Sequence, residues 1–240
     1  METFIKLCMI FIIGGTLGYV IELFFRRIVH KKWINPGFLV GPTLPLYGVG
    51  VLALYLLCSI DYSFIENKIL RAVFAVFVIT ATMTVIEYIT GLIFIKGLKV
   101  KLWDYSNRKG NIQGIICPLF TLFWGLAGAF YYVFVHKHIV NAVNWITVNP
   151  VYSFFLGMYF GIMAIDVFYS FHIVTNIRKW ATEHNVVVKF EEFKVAIKTR
   201  AERMKEHKPF FLAFRSHNGL NNELDDYAGA MSKFMEKNKR

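Results

Sequence analysis

Five long apolar stretches, at about 4–25, 44–60, 73–95, 115–135 and 151–171, constrain this chain more than any other feature. Most approach the roughly 20 residues that a helix needs to cross hydrocarbon. A segment in lipid must satisfy its own backbone hydrogen bonds, so each stretch is expected to be a helix. The fold class expected is an all-α membrane protein, a bundle of five transmembrane helices within 1–175, followed by a basic cytoplasmic tail at 176–240. Of the 240 residues 56% are hydrophobic, and the charges gather between the stretches or after the last one, a segregation that a water-soluble domain would not show. The first stretch lacks a basic leader and a small-residue cleavage site ahead of Glu22 and Arg26, so it reads as a retained helix. Cys8, Cys58 and Cys117 sit singly in separate stretches, a pattern of small buried hydrophobes; neither a disulfide framework nor a metal or other cofactor is indicated.

Lysine and arginine set the expected orientation, because basic residues in short loops accumulate on the cytoplasmic side. The first connection carries Arg26, Arg27, Lys31 and Lys32, and the third Lys96, Lys99, Lys101, Arg108 and Lys109. The second has Lys68 and Arg71, and the fourth only Lys137. This pattern places connections one and three inside. Five crossings then put the amino terminus outside and the tail, with 14 Lys and Arg from Arg178 to Arg240, in the cytoplasm of a multi-pass cell-membrane protein. The net charge of +11 reads as a topology signal with attraction to anionic lipids of the inner leaflet; no stacking platform or recognition motif accompanies it, so nucleic acid is a poor partner.

In that orientation the acids within the stretches fall in inner halves. Glu22 lies near the inner end of helix one, Glu87 about two turns above the inner end of helix three, and Asp166 with His172 in the inner part of helix five. A carboxylate in hydrocarbon costs about 2–3 kcal/mol or more, so it faces the bundle, pairs, or is protonated. Arg26, four residues after Glu22, is its helical neighbour. Glu22 and Asp166 reaching the headgroup layer or capping packing contacts is an equally available structural explanation; for Glu87, which is deeper, that explanation is weaker. His136 and His138, in the outer connection, read as a solvated pair, not a metal site.

Two connections have unusual composition. The first, Trp33 to Gly48, holds three prolines and three glycines among apolar residues, which breaks helices yet favours burial. A re-entrant or interfacial hairpin leading into a shortened second helix accommodates both demands. The third, Leu102 to Gly114, gathers aromatic and hydrogen-bonding residues. Trp103 and Tyr105 suit interfacial anchors, and Asp104 with Ser106 suits a helix cap or Asx turn. The candidate polar site drawn from these segments comprises Glu22, Arg26, Asn35, Tyr47, Glu87, Trp103, Asp104, Tyr105, Ser106 and Asn111.

Several of these residues form an ordered set: Gly18 with Glu22, Asn35 with Gly37 and Phe38, Gly41-Pro42 then Pro45-Leu46-Tyr47-Gly48, Glu87-Tyr88, Trp103 to Ser106, Asn111 with Gly114, and Trp124-Gly125. Over about 14–130 the chain resembles the Putative ABC-transporter type IV (CmpB-like) integral membrane family. The resemblance implies a permease-like subunit. Pro36 stands where that family's pattern usually has arginine, Ile95 where it has a second acid, and Leu102 where it has an aromatic residue.

Three roles are open on this basis. A transport-associated subunit would draw on a separate ATPase or an ion gradient, since no phosphate-binding loop is present, and would assemble further, for instance as a homo-oligomer; the Gly14 to Gly18 and Gly157 to Gly161 spacings permit close helix contacts, which more often mark packing within one bundle. A lipid-headgroup enzyme would use Asp104 or Glu87 as base, with Arg26 and Arg108 holding phosphate. A non-catalytic scaffold would recruit partners through the tail. There an amphipathic helix is expected at about 189–206, with Phe190, Phe193, Ile197, Ala201 and Met204 opposite Lys194, Lys198, Arg203 and Lys205, lying on the inner leaflet. After Pro209, Phe210 to Phe214 is expected to dip into the interface, and 218–226 to be flexible.

Overall fold

The computed structural model describes residues 2–147, 149, 151–203, 210–211 and 219–237, with side chains at all of these except 146–147 and 230–237. All five apolar stretches are helical. They form α1 (Glu2–His30), α2 (Pro45–Cys58), α3 (Lys68–Leu92), α4 (Pro118–Phe130) with α5 (His136–Thr147), and α6 (Val151–Glu183). A two-residue strand β1 (Val100–Lys101) follows α3, β2 (Val188–Lys189) follows α6, and α7 (Phe190–Arg203) and α8 (Gly219–Lys237) complete the described chain. Single π-helical turns occupy Ile93–Gly97 and Tyr131–Val135, so α4, its π turn and α5 run on as one rod. Four rods are long and apolar enough to cross a membrane: Glu2–His30, Lys68–Gly97, Pro118–Trp145 and Val151–Glu183. At 14 residues α2 extends about 21 Å, short of the roughly 30 Å of hydrocarbon.

The helix ends differ from those expected, for identifiable reasons. Pro45 and Pro118 open α2 and α4, each supplying the fixed φ of a first turn, instead of starts at 44 and 115. Asn67 accepts from the amides of Ile69 (2.9 Å) and Leu70 (3.2 Å), which starts α3 before its apolar run. Beyond 171 the helix α6 continues as an amphipathic one, burying Val174, Ile177 and Ala181 at spacings of three and four.

The chain divides into two compact units interleaved in sequence: Met1–Val20, Pro42–Gly91 and Asp104–Ala164 form the first, and Ile21–Gly41, Leu92–Trp103 and Ile165–Arg240 the second. In the first, Leu54, Ile79, Met83 and Tyr131 make a buried cluster flanked by Val51, Leu57 and Trp124. Glycines set how closely these helices approach. A Cβ on Gly18 would lie 2.3–2.4 Å from ring and Cβ atoms of Tyr47, and one on Gly14 2.6 Å from the Cβ of Val51. The Gly14 to Gly18 spacing therefore serves contact between α1 and α2 of one chain. Gly18→Ala is expected to cost about 2 kcal/mol through overpacking, measured by thermal unfolding in detergent. Gly157→Ala, with nothing within 4 Å of its would-be Cβ, is expected to stay within about 0.5 kcal/mol of the parent.

In the second unit β1 pairs in parallel with β2, Val100 opposite Val188 and Lys101 opposite Lys189. The core around this pair contains Val174, Ile177, Trp180, Phe190, Phe193, Ile197 and Leu224. Two expectations for the tail are corrected here. Lys194 is buried instead of facing lipid phosphates: Phe190, Phe193, Lys194, Ile197 and Ala201 share one face of α7, and position 194 lies inside that stripe. Residues 219–226, expected to be flexible, begin α8, whose Leu220, Leu224, Tyr227 and Ala228 pack onto the same core, with the Trp180 indole donating to Asp225 at 2.7 Å. Residues 204–206, including Met204, and 212–214 lie outside the described residues.

Candidate functional site

Glu87 is the deepest acid of the first unit. It sits in α3 six positions before the π-helical turn at Ile93–Gly97 and is only 3% exposed. Two neutral donors hold its carboxylate: the Tyr105 hydroxyl donates to Oε1 at 3.1 Å and the Trp124 indole to Oε2 at 3.0 Å. Tyr105 is itself fixed by stacking on Phe120, with ring centroids 4.2 Å apart and planes at 13°. Trp124 lies 6.1 Å from the ring of Tyr47. Helices α2, α3 and α4 and the third connection thus all contribute to the surroundings of one carboxylate.

The third connection is built to present Tyr105. Asp104 Oδ1 accepts from the Ser106 amide (3.0 Å) and hydroxyl (2.6 Å), an Asx turn. The Asn111 side chain donates to the carbonyls of Ser106 (3.2 Å) and Arg108 (2.8 Å) and accepts from the Gly114 amide at 2.9 Å. The Tyr105 amide donates to the Gly114 carbonyl at 2.9 Å, which closes the loop. Asp104, Ser106 and Asn111 therefore shape the backbone, an arrangement that serves a positioning loop better than a catalytic base at Asp104.

Four of the ten sequence-derived positions, Glu22, Arg26, Asn35 and Trp103, belong to the second unit, and the other six to the first. Arg26, 7% exposed, is the hub there. Its guanidinium reaches Glu22 at 3.2 Å and Glu191 of α7 at 2.5 Å, and His30 meets the same Glu191 oxygen at 2.5 Å. The Lys194 amine donates to the carbonyls of Asn35 (3.0 Å) and Gly37 (2.5 Å) and lies 4.6 Å from the Phe190 ring centroid. Burial, with Arg26 beside it, pushes the Lys194 ammonium down to about 7. Asn35 donates to the carbonyls of Leu39 (3.3 Å) and Val40 (2.8 Å), folding the connection back on itself. Asp166 caps the next turn, accepting from the amides of Val40 (2.9 Å) and Gly41 (2.8 Å) and from the Ser170 hydroxyl (3.0 Å). Gly41 is required at this cap, since a Cβ there would lie 2.8 Å from the Asp166 carboxylate. Trp33 packs edge-on against Phe24 with Arg27 over its ring, while Trp103 is half-buried.

Sequence reasoning omitted Trp124, His30, Glu191, Lys194 and Asp166 from the site. Trp124 carried a usable signal, because an indole N–H in an apolar run needs an acceptor. Glu191 and His30 carried none, since their partners are more than 100 residues away in sequence. No group of three or more His, Cys, Asp or Glu able to hold a metal is found among the described residues.

The profile of the Putative ABC-transporter type IV family matches residues 9–171, and the chain belongs to that family. With its apolar helices this makes it a membrane protein of a transport-associated class. No curated protein and no solved structure matches the chain.

Proposed function

We propose that the protein is a permease-like membrane subunit whose polar site, centred on Glu87 with Tyr47, Tyr105 and Trp124, faces the cytoplasm and works with a separate ATPase. The observation that carries this reading is the Glu87 carboxylate, buried in a spanning helix and held only by neutral hydroxyl and indole donors among the described residues. Intramembrane acids of this kind mark substrate or ion pathways. Tyr105 joins that acid directly to the third connection, so a movement of the connection is felt at the carboxylate.

Contacts within the second unit support the sidedness. His30 and Lys32 bond Glu191, Thr199 and Glu202 of α7, and β1 pairs with β2 just ahead of α7. Segments in contact lie on one side of a bilayer, so an even number of crossings separates His30 from Val100. If α3 crosses, α2 crosses as well, its short helix extended by the non-helical Pro42 to Leu44. Five crossings follow, with the amino terminus outside and the tail, basic overall, in the cytoplasm beside anionic lipid. Single cysteines placed at Lys109 and Lys137 in a cysteine-free background test this topology. Membrane-impermeant maleimide on intact cells is expected to label position 137 and spare 109, and labelling of 109 from outside refutes it. For transport, co-purification of an ATPase subunit is expected, together with flux that Glu87→Gln abolishes while the complex persists. Neither complex nor flux with any co-expressed ATPase refutes the role.

A further inference from the structure

The tail is more than a membrane-surface helix, because α7 and the strand before it are tied at four points to the end of α1, the proline-glycine connection and the segment after α3. Lys194 binds the carbonyls of Asn35 and Gly37, Glu191 binds Arg26 and His30, and Lys32 binds Thr199 at 2.9 Å and Glu202 at 2.6 Å. The fourth is the short strand pair, Val188 opposite Val100, which ties the start of α7 to the segment after α3. Three of these joints are ion pairs or backbone bonds of an ordinary kind. The joint at Lys194 is different, because an amine with its residue 5% exposed must shed its hydration shell whenever α7 docks.

We propose that α7 is a proton-sensitive clamp on residues 33–41: it closes with Lys194 as the neutral amine on the Asn35 and Gly37 carbonyls, and uptake of one proton by Lys194 opens it. The charged groups facing Lys194 include Arg26 from α1 and Glu191 from its own helix, with Glu22 and His30 behind them in the same ion-pair chain. Arg26 repels an ammonium at 194 and Glu191 attracts one, and Glu191 is already shared between Arg26 and His30. The two carbonyls are also satisfied by a neutral amine, which retains two N–H donors. The direction of the Lys194 shift, downward through burial and Arg26, agrees with this geometry.

The sign follows from linkage. Undocked, Lys194 has the ordinary lysine value of 10.5; docked, it lies at about 7. Between those values the undocked state holds more protons, so docking strengthens as pH rises through the window and levels off below about 7. One proton corresponds to a change of up to about tenfold in the docking equilibrium per pH unit. Release frees the connection that Asn35 and Asp166 fold, and with it the entry to α2. The consequence is a tail that responds to cytoplasmic alkalinity, independent of what the Glu87 site handles.

Hydrogen exchange of the full-length protein in detergent micelles, corrected for intrinsic rates, tests the clamp. Between pH 7.5 and 9.5 the opening equilibrium of the α7 amides is expected to fall severalfold to tenfold per unit, while α3 amides show no such slope. Lys194→Met is expected to remove the slope and to protect α7 at pH 7.5 at least as well as the parent does at pH 9.5. Lys194→Arg, charged at every pH, is expected to leave α7 open throughout. Because His30 and Glu191 are present in every variant, the differences report Lys194 alone. A flat wild-type profile over the window, or a slope that survives Lys194→Met, overturns the proposal. A flat wild-type profile overturns it even where a variant fails to fold, and it does so whether or not transport is ever detected.

Discussion

Glu87→Ala is expected to destabilise the protein by about 3 kcal/mol, because it removes the carboxylate to which the Tyr105 hydroxyl and the Trp124 indole both donate. An orphaned buried donor costs about 1–3 kcal/mol, and the deleted side chain adds a cavity. Glu87→Gln keeps one carbonyl oxygen but turns the other position into a donor facing a donor, so its cost is expected to be intermediate, about 1–2 kcal/mol. Tyr105→Phe removes one donor and its share only, about 1 kcal/mol. Thermal or denaturant unfolding in micelles orders the three variants as Ala, Gln, Phe. A Glu87→Ala variant as stable as the parent would mean that water reaches the carboxylate and that the buried site does not exist.

Arg26→Met is expected to cost a similar amount, about 2–3 kcal/mol. The Arg26 side chain is 9% exposed, and its two carboxylate partners are 19% and 24% exposed. Breaking a fully buried pair costs about 3–5 kcal/mol, and the partial exposure of the acids lowers this because water screens what remains. The loss comes less from a favourable bond than from the carboxylates left behind. Adding Glu191→Gln to Arg26→Met should therefore restore about half of the lost stability, a positive coupling that a double-mutant cycle reads directly. Additive costs would show that Arg26 and Glu191 do not act on each other.

Hydropathy located each long apolar helix but could not find its ends, because it measures a length of oil and not a ladder of hydrogen bonds. Val174, Ile177 and Ala181 carry α6 past its apolar run by burying one face, and Asn67 begins α3 among polar residues. The tail failed differently. Leu220 and Leu224 are too few to raise the mean hydropathy of 218–226, although with Tyr227 and Ala228 just beyond it they share one face of α8. Lys194 was misread because charge was taken to decide its side of the helix, when its register with Phe190 and Ile197 had already placed it within.

Two acids were legible in the sequence: Glu87, well inside an apolar stretch, is buried, and Glu22, with Arg26 one turn away, pairs with it. Their further partners were not legible, since His30 to Glu191 and Lys194 to Asn35 join segments some 160 residues apart. Asp104, Ser106 and Asn111 had two readings, and the Asx turn and the closed loop favour the shaping one.

The π turn at Tyr131–Val135 has a consequence for any attempt to graft or lengthen this protein. One surplus residue in a helix swings everything after it by about 100° around the axis. The stripe of α4 that meets its neighbours is therefore not the one that α5 would inherit from a straight rod. A designer who copied the spacing of residues before Tyr131 onto those after Val135 would aim the wrong side chains at the lipid.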